Sequence, residues 1–338
     1  MPPASPSSAE IAADPSWLAH NLDPVSDRVA LVRMSEADYR AASFLDQRLL
    51  GSQSQMSEIG WAELAATFPA GSRRDAQYIF HIGHVGSTLI SRLLGELDGV
   101  FALREPLLLR SFVEMGADEA AVRIPTLQAL LSRTFTPGQR AMVKATSFTS
   151  EIADRVVPAG SRALFLYADP RRYVESILAG DNSRRELAML APIRAQRIAI
   201  RVPALATPEA ASSEARLAAQ AWACEMTSLG RAAAAMPADS VLWADFDKVL
   251  PDPERMMATF AEFFGIAAPA DKLRTTANGP LLGRYSKAPE YEYSPALRRD
   301  LLAQTGREHG AAIREALDWL TAAARGAPLL EAALNRAI

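Results

Sequence analysis

The segment 78–97 constrains the fold of this chain more than any other part of its sequence. An apolar run leads into a loop that contains Gly83 and Gly86, and Ser87 and Thr88 follow where apolar residues take up helical spacing. Glycines allow a backbone to curl so that successive N–H groups point inward, while hydroxyl groups and a helix N-terminus add donors and positive potential. The sequence therefore predicts a strand, an anion-binding loop and a helix, in that order.

This loop differs from the sites that bind nucleoside triphosphates. The pattern G-x-x-x-x-G-K-[ST] contains a lysine that reaches the β- and γ-phosphates, and the loop at 83–88 has none. We therefore predict an anion site that does not serve ATP with magnesium.

Short apolar runs alternate with helical stretches from residue 78 onward. The runs are 78–82, 100–103, 141–144, 163–167 and 241–243. Asp-Pro pairs at 169–170 and 252–253 are typical of an N-cap followed by proline in the first helical turn. This alternation predicts an α/β fold: a doubly wound parallel sheet of about five strands flanked by helices, as in P-loop nucleotide-binding proteins.

The rest of the chain divides by composition. We interpret residues 1–14 as a disordered tail, 15–75 as a mostly helical N-terminal extension packed on the core, and 76–338 as the α/β domain. The stretch 190–208 is rich in proline and arginine, which favours a lid or a substrate loop.

Composition excludes several functional classes. The net charge of −3 provides no overall field for nucleic acid, and the single cysteine, Cys224, excludes a cysteine-based metal cluster. No apolar run approaches the roughly 20 residues that span a bilayer, and the first residues lack a signal-peptide pattern. We expect a cytoplasmic protein without a membrane or nucleic-acid partner.

Polar residues follow the predicted strands at the point where each strand ends. Ligands of parallel sheets bind beyond the carboxyl ends of the strands, so these residues should surround one site. Arg104 and Glu105 follow the second run, and Lys144 ends the third. We assign Arg104 and Lys144 to the substrate. Glu105 is the candidate general base, with a salt bridge to Arg104 or to another arginine as the alternative interpretation.

Three segments in this order resemble the sulfotransferases that use 3′-phosphoadenosine 5′-phosphosulfate (PAPS). The family's 5′-phosphosulfate loop reads P-[KR]-[ST]-G-[ST]-T-[LW], and residues 83–89 take that place. Its 3′-phosphate segment reads R-D-P-R-x-x-x-x-S, which residues 168–176 match in frame. Residues 241–266 are similar to its closing strand and helix. The resemblance covers about 76–290.

The resemblance implies roles for individual residues. The cofactor-binding set would be Gly83, Val85, Gly86, Ser87, Thr88, Arg171, Arg172 and Ser176. His84 stands where the family has a basic residue beside the leaving phosphate, and some bacterial members use a glutamate as Glu105 is placed here. Ala168 stands where the family has an arginine that grips the 3′-phosphate, so another cation should replace it. Arg284 and Lys287, in a glycine-containing segment late in the chain, are the candidates.

The resemblance implies a bacterial-type enzyme that moves a sulfuryl group from PAPS to a hydroxyl, or an amine, of a small-molecule acceptor. No metal is required, because backbone amides and basic side chains can neutralise the leaving group. Two alternatives stay open. One is a nucleotide-dependent kinase or other phosphotransferase. The other is a catalytically inactive nucleotide-binding protein on the same fold, for which Ala168 is the main support.

Overall fold

In a computed structural model, the described residues are 6–51, 54–206, 213–283 and 294–337. They form two β-sheets surrounded by helices. The strands are β1 (Trp17–Asp23), β2 (Arg28–Arg33), β3 (Met56–Gly60), β4 (Gln77–His81), β5 (Val100–Arg104), β6 (Arg140–Lys144), β7 (Ala163–Tyr167) and β8 (Val241–Asp245). 

The helices cover most of the remaining length. They are α1 (Ser8–Ala13), α2 (Glu36–Ala41), α3 (Trp61–Ala65), α4 (Ser87–Gly95), α5 (Leu108–Glu114), α6 (Ala117–Leu131), α7 (Ala153–Val156), α8 (Pro170–Leu178), α9 (Asp181–Arg201), α10 (Glu214–Ala235), α11 (Phe246–Val249), α12 (Pro253–Phe264), α13 (Ala270–Ala277), α14 (Pro295–Glu308), α15 (Gly310–Ala324) and α16 (Pro328–Ala337). Short 3₁₀ segments lie at Gln47–Leu49, Ser147–Ile152, Pro203–Leu205, Ala238–Ser240 and Pro280–Gly283.

The larger sheet has five parallel strands in the order β5-β6-β4-β7-β8, which confirms the predicted α/β fold. After β4 the chain first builds β5 and β6 on one side of it, and then β7 and β8 on the other side. The crevice at the carboxyl end of β4 is therefore the topological switch point, where ligands of open α/β sheets bind. The loop at 83–88 starts at this point.

The sheet is buried on both faces. Every residue of β4, β5 and β7 is buried, and the rings of Phe80 and Phe165 meet edge to face with centroids 5.7 Å apart. Helix α10 runs through the protein interior and packs against α8, α9, α15 and α16. Its Trp222 is fully buried, and the indole Nε1–H donates to the C=O of Ala168 at 2.9 Å. Burial of these side chains is the main stabilising contribution to this region.

The sequence predicted a mostly helical N-terminal extension, and this prediction is wrong. The extension contains a three-stranded antiparallel sheet in the order β1-β2-β3 between short helices. A turn after Asp23 joins β1 to β2, where the Asp23 side chain accepts from the N–H of Val25 and from the Ser26 hydroxyl. Such local acceptors favour a turn over a helix. Pairing of β2 with β3, distant in sequence, then completes the sheet.

Part of the predicted disordered tail is ordered. Residues 8–13 form α1, which begins with a capping box in which Ser7 and Glu10 exchange hydrogen bonds. Ile11 of this helix is fully buried, and Arg133 donates to its C=O. The cap and the burial of Ile11 both stabilise this helix.

The predicted lid or substrate loop at 190–208 is also helical in its first part. Helix α9 continues through Pro192 to Arg201 and packs against α10. The carbonyl that Pro192 leaves without an intrahelical donor belongs to Ala188, which is exposed to water. No helix in the described part of the chain combines the length and the apolar character needed to cross a bilayer.

Candidate functional site

A cavity of about 450 Å³ opens at the carboxyl ends of the central strands. Its floor is the loop after β4 together with Glu105 and the start of the 3₁₀ segment that follows β6. One wall comes from the N-terminal extension and the other from α8 and α9. The lining residues that matter below are Phe44, Asp46, Arg48, His81, Gly83, His84, Glu105, Arg110, Thr146, Phe148, Tyr173, Ser183, Arg185, Glu186, Leu190 and Arg194.

The loop after β4 has the left-handed backbone that an anion cradle needs. Gly83, His84 and Gly86 have φ values of 88°, 56° and 62°. A Cβ at Gly86 would lie 2.1 Å from the Phe246 ring, so only glycine fits there. The N–H of Gly83 donates to His81 Nδ1 at 3.0 Å, which leaves the ring proton of neutral His81 on Nε2. This buried histidine therefore positions the loop.

Helix α4 begins directly after the cradle. Ser87 and Thr88 in its first turn are buried, and Thr88 Oγ1 has no hydrogen-bond partner among the described residues. Thr146 Oγ1, which lines the cavity, is in the same situation. The N–H groups of a first helical turn have no acceptor within the helix. Unused donors at a helix N-terminus fit the oxygens of a phosphate or sulfuryl group.

His84 lies where the loop meets α9. Its Nδ1 is 3.4 Å from the Ser183 hydroxyl, and both residues line the cavity. The sequence predicted a role for His84 beside a leaving phosphate, and that role stays a prediction.

Glu105 forms an ion pair with Lys144 across neighbouring strands. The Lys144 side chain is fully buried, whereas that of Glu105 is 13% exposed and faces the cavity. The Glu105 N–H also donates to the Lys144 C=O at 2.6 Å, and Glu105 has a φ of 54°. Its second carboxylate oxygen lies 3.9 Å from the guanidinium of Arg48. Lys144 and Arg48, rather than Arg104, are thus the basic neighbours of this carboxylate.

Neither Lys144 nor Arg104 lines the cavity, which corrects the assignment of both to the substrate. Lys144 is buried and pairs with Glu105, whereas Arg104 holds part of the N-terminal extension. Arg104 is buried, and its guanidinium donates to the carbonyls of Tyr39, Arg40 and Ala42 at 3.0, 3.2 and 2.7 Å. These are the last carbonyls of α2, which a cation at a helix C-terminus satisfies. The Arg104 guanidinium lies beside Gly95 of α4, away from the cavity.

The N-terminal extension forms one wall of the cavity, with residues that were not predicted from the sequence. The backbone of Leu45 bridges the end of β5: its N–H donates to Arg104 C=O at 2.7 Å and its C=O accepts from Leu107 N–H at 3.1 Å. The neighbouring residues Phe44, Asp46 and Arg48 line the cavity. No local pattern marks them, because only the docking of the extension brings them to Glu105.

Phe44 and Arg48 cover the Glu105–Lys144 pair. The Arg48 guanidinium lies 3.5 Å from the Phe44 ring centroid, and Lys144 Nζ lies 5.7 Å from the same centroid. Arg48 Nε also donates to both Asp46 carboxylate oxygens, at 2.9 and 3.1 Å. This arrangement limits the access of water to the carboxylate.

The opposite wall contains a buried ion pair. Arg194 of α9 and Glu225 of α10 are both buried, with Nε 3.5 Å from Oε1. Burial raises the pKa of Glu225 to about 7, although Arg194 opposes the shift. Burial also raises the pKa of Tyr173, whose ring lines the cavity beside Gly83. The Tyr173 hydroxyl is therefore protonated at neutral pH and can act as a donor.

The residues predicted for the 3′-phosphate lie on α8, outside the cavity. Arg171 is exposed and Ser176 is half-buried, while Arg172 donates to Glu175 Oε2 at 3.1 Å. Asp169 caps this helix by accepting from the Arg172 N–H at 3.0 Å. Arg284 and Lys287 lie outside the described residues. The described residues contain no group of three or more His, Cys, Asp or Glu side chains that could hold a metal ion.

Comparisons with known proteins found similarity only at the level of solved structures, since no family model and no curated protein matches the chain. The sulfotransferase domain from the curacin biosynthetic pathway is 12% identical with a TM-score of 0.44, over 68% of this chain and 87% of that one. The sulfotransferase domain of the Synechococcus PCC 7002 olefin synthase is 13% identical with a TM-score of 0.41, over 72% and 97%. The sulfotransferase STF9 from Mycobacterium avium is 12% identical with a TM-score of 0.41, over 71% and 77%.

Proposed function

We propose that this protein transfers a sulfuryl group from PAPS to a hydroxyl, or an amine, of a small-molecule acceptor. The observation that carries the proposal is that the first residues of the loop after β4, Gly83 and His84, line the same cavity as a carboxylate that is paired with a buried lysine. A binding protein needs the loop alone. A partly shielded carboxylate beside the cradle adds a group that can accept a proton.

The cradle residues fit a phosphosulfate. The backbone at Gly83, Val85 and Gly86, with the hydroxyls of Ser87 and Thr88, would hold its oxygens, and the unpartnered Thr88 Oγ1 supports this fit. PAPS supplies a sulfuryl group on an anhydride whose cleavage releases a stable bisphosphate. His84, at the edge of the cradle, can donate a hydrogen bond to the leaving phosphate.

Glu105 is the residue that would take the acceptor proton. Its carboxylate faces the cavity, and Lys144 and the Leu45 backbone hold it in one orientation. Fixed orientation matters because proton transfer requires the base within hydrogen-bond reach of the acceptor. Phe44 and Arg48 reduce the access of water, which would otherwise compete with the acceptor for the sulfuryl group.

Recognition of the 3′-phosphate is proposed for residues of α8 and for two cations that lie beyond the described residues. Arg171, Arg172 and Ser176 follow the Asp169-Pro170 cap of α8, and Arg284 and Lys287 are the candidates to replace the charge that Ala168 lacks. Arg284→Ala should reduce the preference for adenosine 3′,5′-bisphosphate over 5′-AMP. An unchanged preference in both Arg284→Ala and Lys287→Ala would leave Arg171 and Arg172 to explain it.

Ligand binding tests the proposed function directly. Isothermal titration in EDTA should show saturable binding of adenosine 3′,5′-bisphosphate, and thermal melting should shift upward with its concentration. Incubation with PAPS and a panel of phenols should then yield sulfated product. Binding of ATP that requires magnesium would support a phosphotransferase instead. Binding of the bisphosphate without transfer to any acceptor would support an inactive nucleotide-binding protein.

A further inference from the structure

Arginines outnumber carboxylates among the residues that line the cavity. Arg110 on α5 and Arg185 and Arg194 on α9 all line it. Neither Arg110 nor Arg185 forms an ion pair with a carboxylate in the described part of the chain. Arg48, by contrast, is occupied by Asp46. We call Arg110 and Arg194 the arginine pair, because they are less exposed to solvent than Arg48 and Arg185.

Arg194 is the more constrained member of the pair. It is 5% exposed, its Nε has no hydrogen-bond partner in the described part of the chain, and Glu225 is 3.5 Å away. Burial opposes the charge of Arg194, but Tyr173 and Glu225 outweigh it and raise the pKa of this arginine, so the guanidinium stays charged. A charged guanidinium with an unpartnered Nε at the cavity can attract an anion.

Arg110 is held beside an aromatic side chain. Its guanidinium lies 5.3 Å from the centroid of the Phe148 ring, while Arg197 stacks on the same ring at 3.8 Å and donates to the Phe148 C=O at 3.0 Å. These contacts fix Phe148 and add a third positive charge behind it. Phe44, Phe148 and Leu190 add an apolar surface to the cavity that the arginine pair and Glu105 also line.

We propose that the acceptor is a small hydroxy acid with an apolar or aromatic body, and that Arg110 and Arg194 receive its carboxylate while its hydroxyl lies at Glu105. This proposal rests on the proposed function and specifies the acceptor class for the same cavity. Arginine suits the task, since its planar fork can donate two hydrogen bonds to one carboxylate. The apolar walls contact the body of the acceptor and exclude water around the ion pair.

Equilibrium binding tests the acceptor class without relying on turnover. The ligands are 4-hydroxyphenylacetate, salicylate and a medium-chain 3-hydroxyalkanoate, each compared with its neutral methyl ester, with and without adenosine bisphosphate. We expect at least one acid to bind about tenfold to a hundredfold more tightly than its ester, the range of a charged hydrogen bond. Arg110→Gln should remove this preference, while Arg110→Lys should keep part of it.

Controls separate the possible roles of Arg110. Arg299→Gln, on the exposed face of α14, changes the net charge equally and should leave the acid preference intact. Melting temperatures of all variants establish that each is folded. Acids that bind no better than their esters in the wild type would overturn the proposal. So would weaker bisphosphate binding in Arg110→Gln, because the arginine would then serve the donor.

The outcome is distinguishable from failure of the proposed function. If the wild type prefers acids and Arg110→Gln abolishes that preference, but PAPS yields no sulfated product, the carboxylate site stands as a ligand site and the proposed function fails. If PAPS supports transfer to the esters and the acids equally, the sulfotransferase function stands and the acceptor class is wrong.

Discussion

His84 and Glu105 share an unusual backbone conformation. Only one other non-glycine residue in the described ranges, Asp27 in a turn, has a positive φ. Such a conformation costs about 1–3 kcal/mol and persists where the surroundings determine it. For Glu105 these surroundings are the backbone of Lys144 and the Leu45 bridge on either side of it. Strain at the two residues predicted to carry the chemistry supports their assignment.

Gly86→Ala should damage the cradle. The added Cβ would meet the Phe246 ring at 2.1 Å, and φ is 62°. We expect a loss of about 2–4 kcal/mol in the free energy of unfolding, from left-handed strain and overpacking together, and weaker bisphosphate binding. Gly83→Ala is the matched control: it has a positive φ, but its nearest neighbour would be 3.6 Å away. Equal losses in urea unfolding for both variants would contradict the steric explanation.

Glu105→Gln should separate binding from catalysis. The amide keeps the shape of the side chain but cannot accept the proton, so turnover should fall by about 10²–10⁴-fold while bisphosphate affinity stays within about twofold. Steady-state kinetics and titration calorimetry measure the two quantities. Glu114→Gln, exposed on α5, should retain normal turnover. A fully active Glu105→Gln enzyme would exclude Glu105 as the base.

At the scale of the elements, the N-terminal extension completes the site. Arg104 joins the end of β5 to the end of α2, and the chain after α2 then carries Phe44, Asp46 and Arg48 into the cavity. The extension is therefore part of the cavity wall, and changes in its docking should affect the binding of ligands in this cavity.

Arg104→Met tests whether this arginine acts through structure. Three carbonyls at the end of α2 would lose their donor, so we expect a loss of about 2–4 kcal/mol in stability and faster hydrogen exchange across residues 43–48. The KM for the acceptor should rise in proportion to the increase in hydrogen exchange across residues 43–48. Unchanged stability and exchange together with a large rise in KM would instead indicate a direct contact with substrate.

The pairing of α9 with α10 should leave a signature in the pH dependence of stability. Burial raises the pKa of Glu225 from 4.5 to about 7, so the folded state binds more protons than the unfolded state between these values. Its contribution is complete below pH 4.5 and is lost as the pH rises through 7. Relative to Glu225→Gln, the wild type should lose on the order of 1–3 kcal/mol over this window. Urea unfolding at pH 4.5, 6 and 8 measures the difference, and parallel curves for the two proteins would contradict it.

Over the whole molecule, the extension and the α/β part share one hydrophobic core. Trp61 of the extension packs edge to face on Phe112 of α5 at 5.8 Å, and Arg133 donates to the C=O of Trp17 at 2.9 Å. Contacts of this kind couple the two sheets, so that neither has a complete core without the other.

This coupling predicts one cooperative unfolding transition. Trp17 and Trp61 report on the extension, and Trp222 and Trp243 report on the α/β part. Tryptophan fluorescence of variants that keep one of these four and lack the others and Trp319 should give the same urea midpoint as far-UV circular dichroism. An earlier midpoint for Trp17 or Trp61 would show that the extension unfolds on its own.

The sequence alone determined those features of the structure that depend on residues close to one another in the chain. The strands of the parallel sheet, the cradle before α4, and the Asp-Pro starts of α8 and α12 each follow from residues a few positions apart. Periodicity and capping act locally, so their signals are complete within such segments.

Tertiary structure decided which side chains share the cavity. Lys144 and Glu105 meet because β5 and β6 are neighbours. Arg104 points away because the carbonyls at the end of α2 hold its guanidinium. Phe44 and Arg48 reach the cavity through the docking of the N-terminal extension. Helix α9 passes through Pro192 because packing against α10 outweighs one lost hydrogen bond. Each of these outcomes depends on contacts between segments far apart in sequence, and local sequence patterns do not predict such contacts.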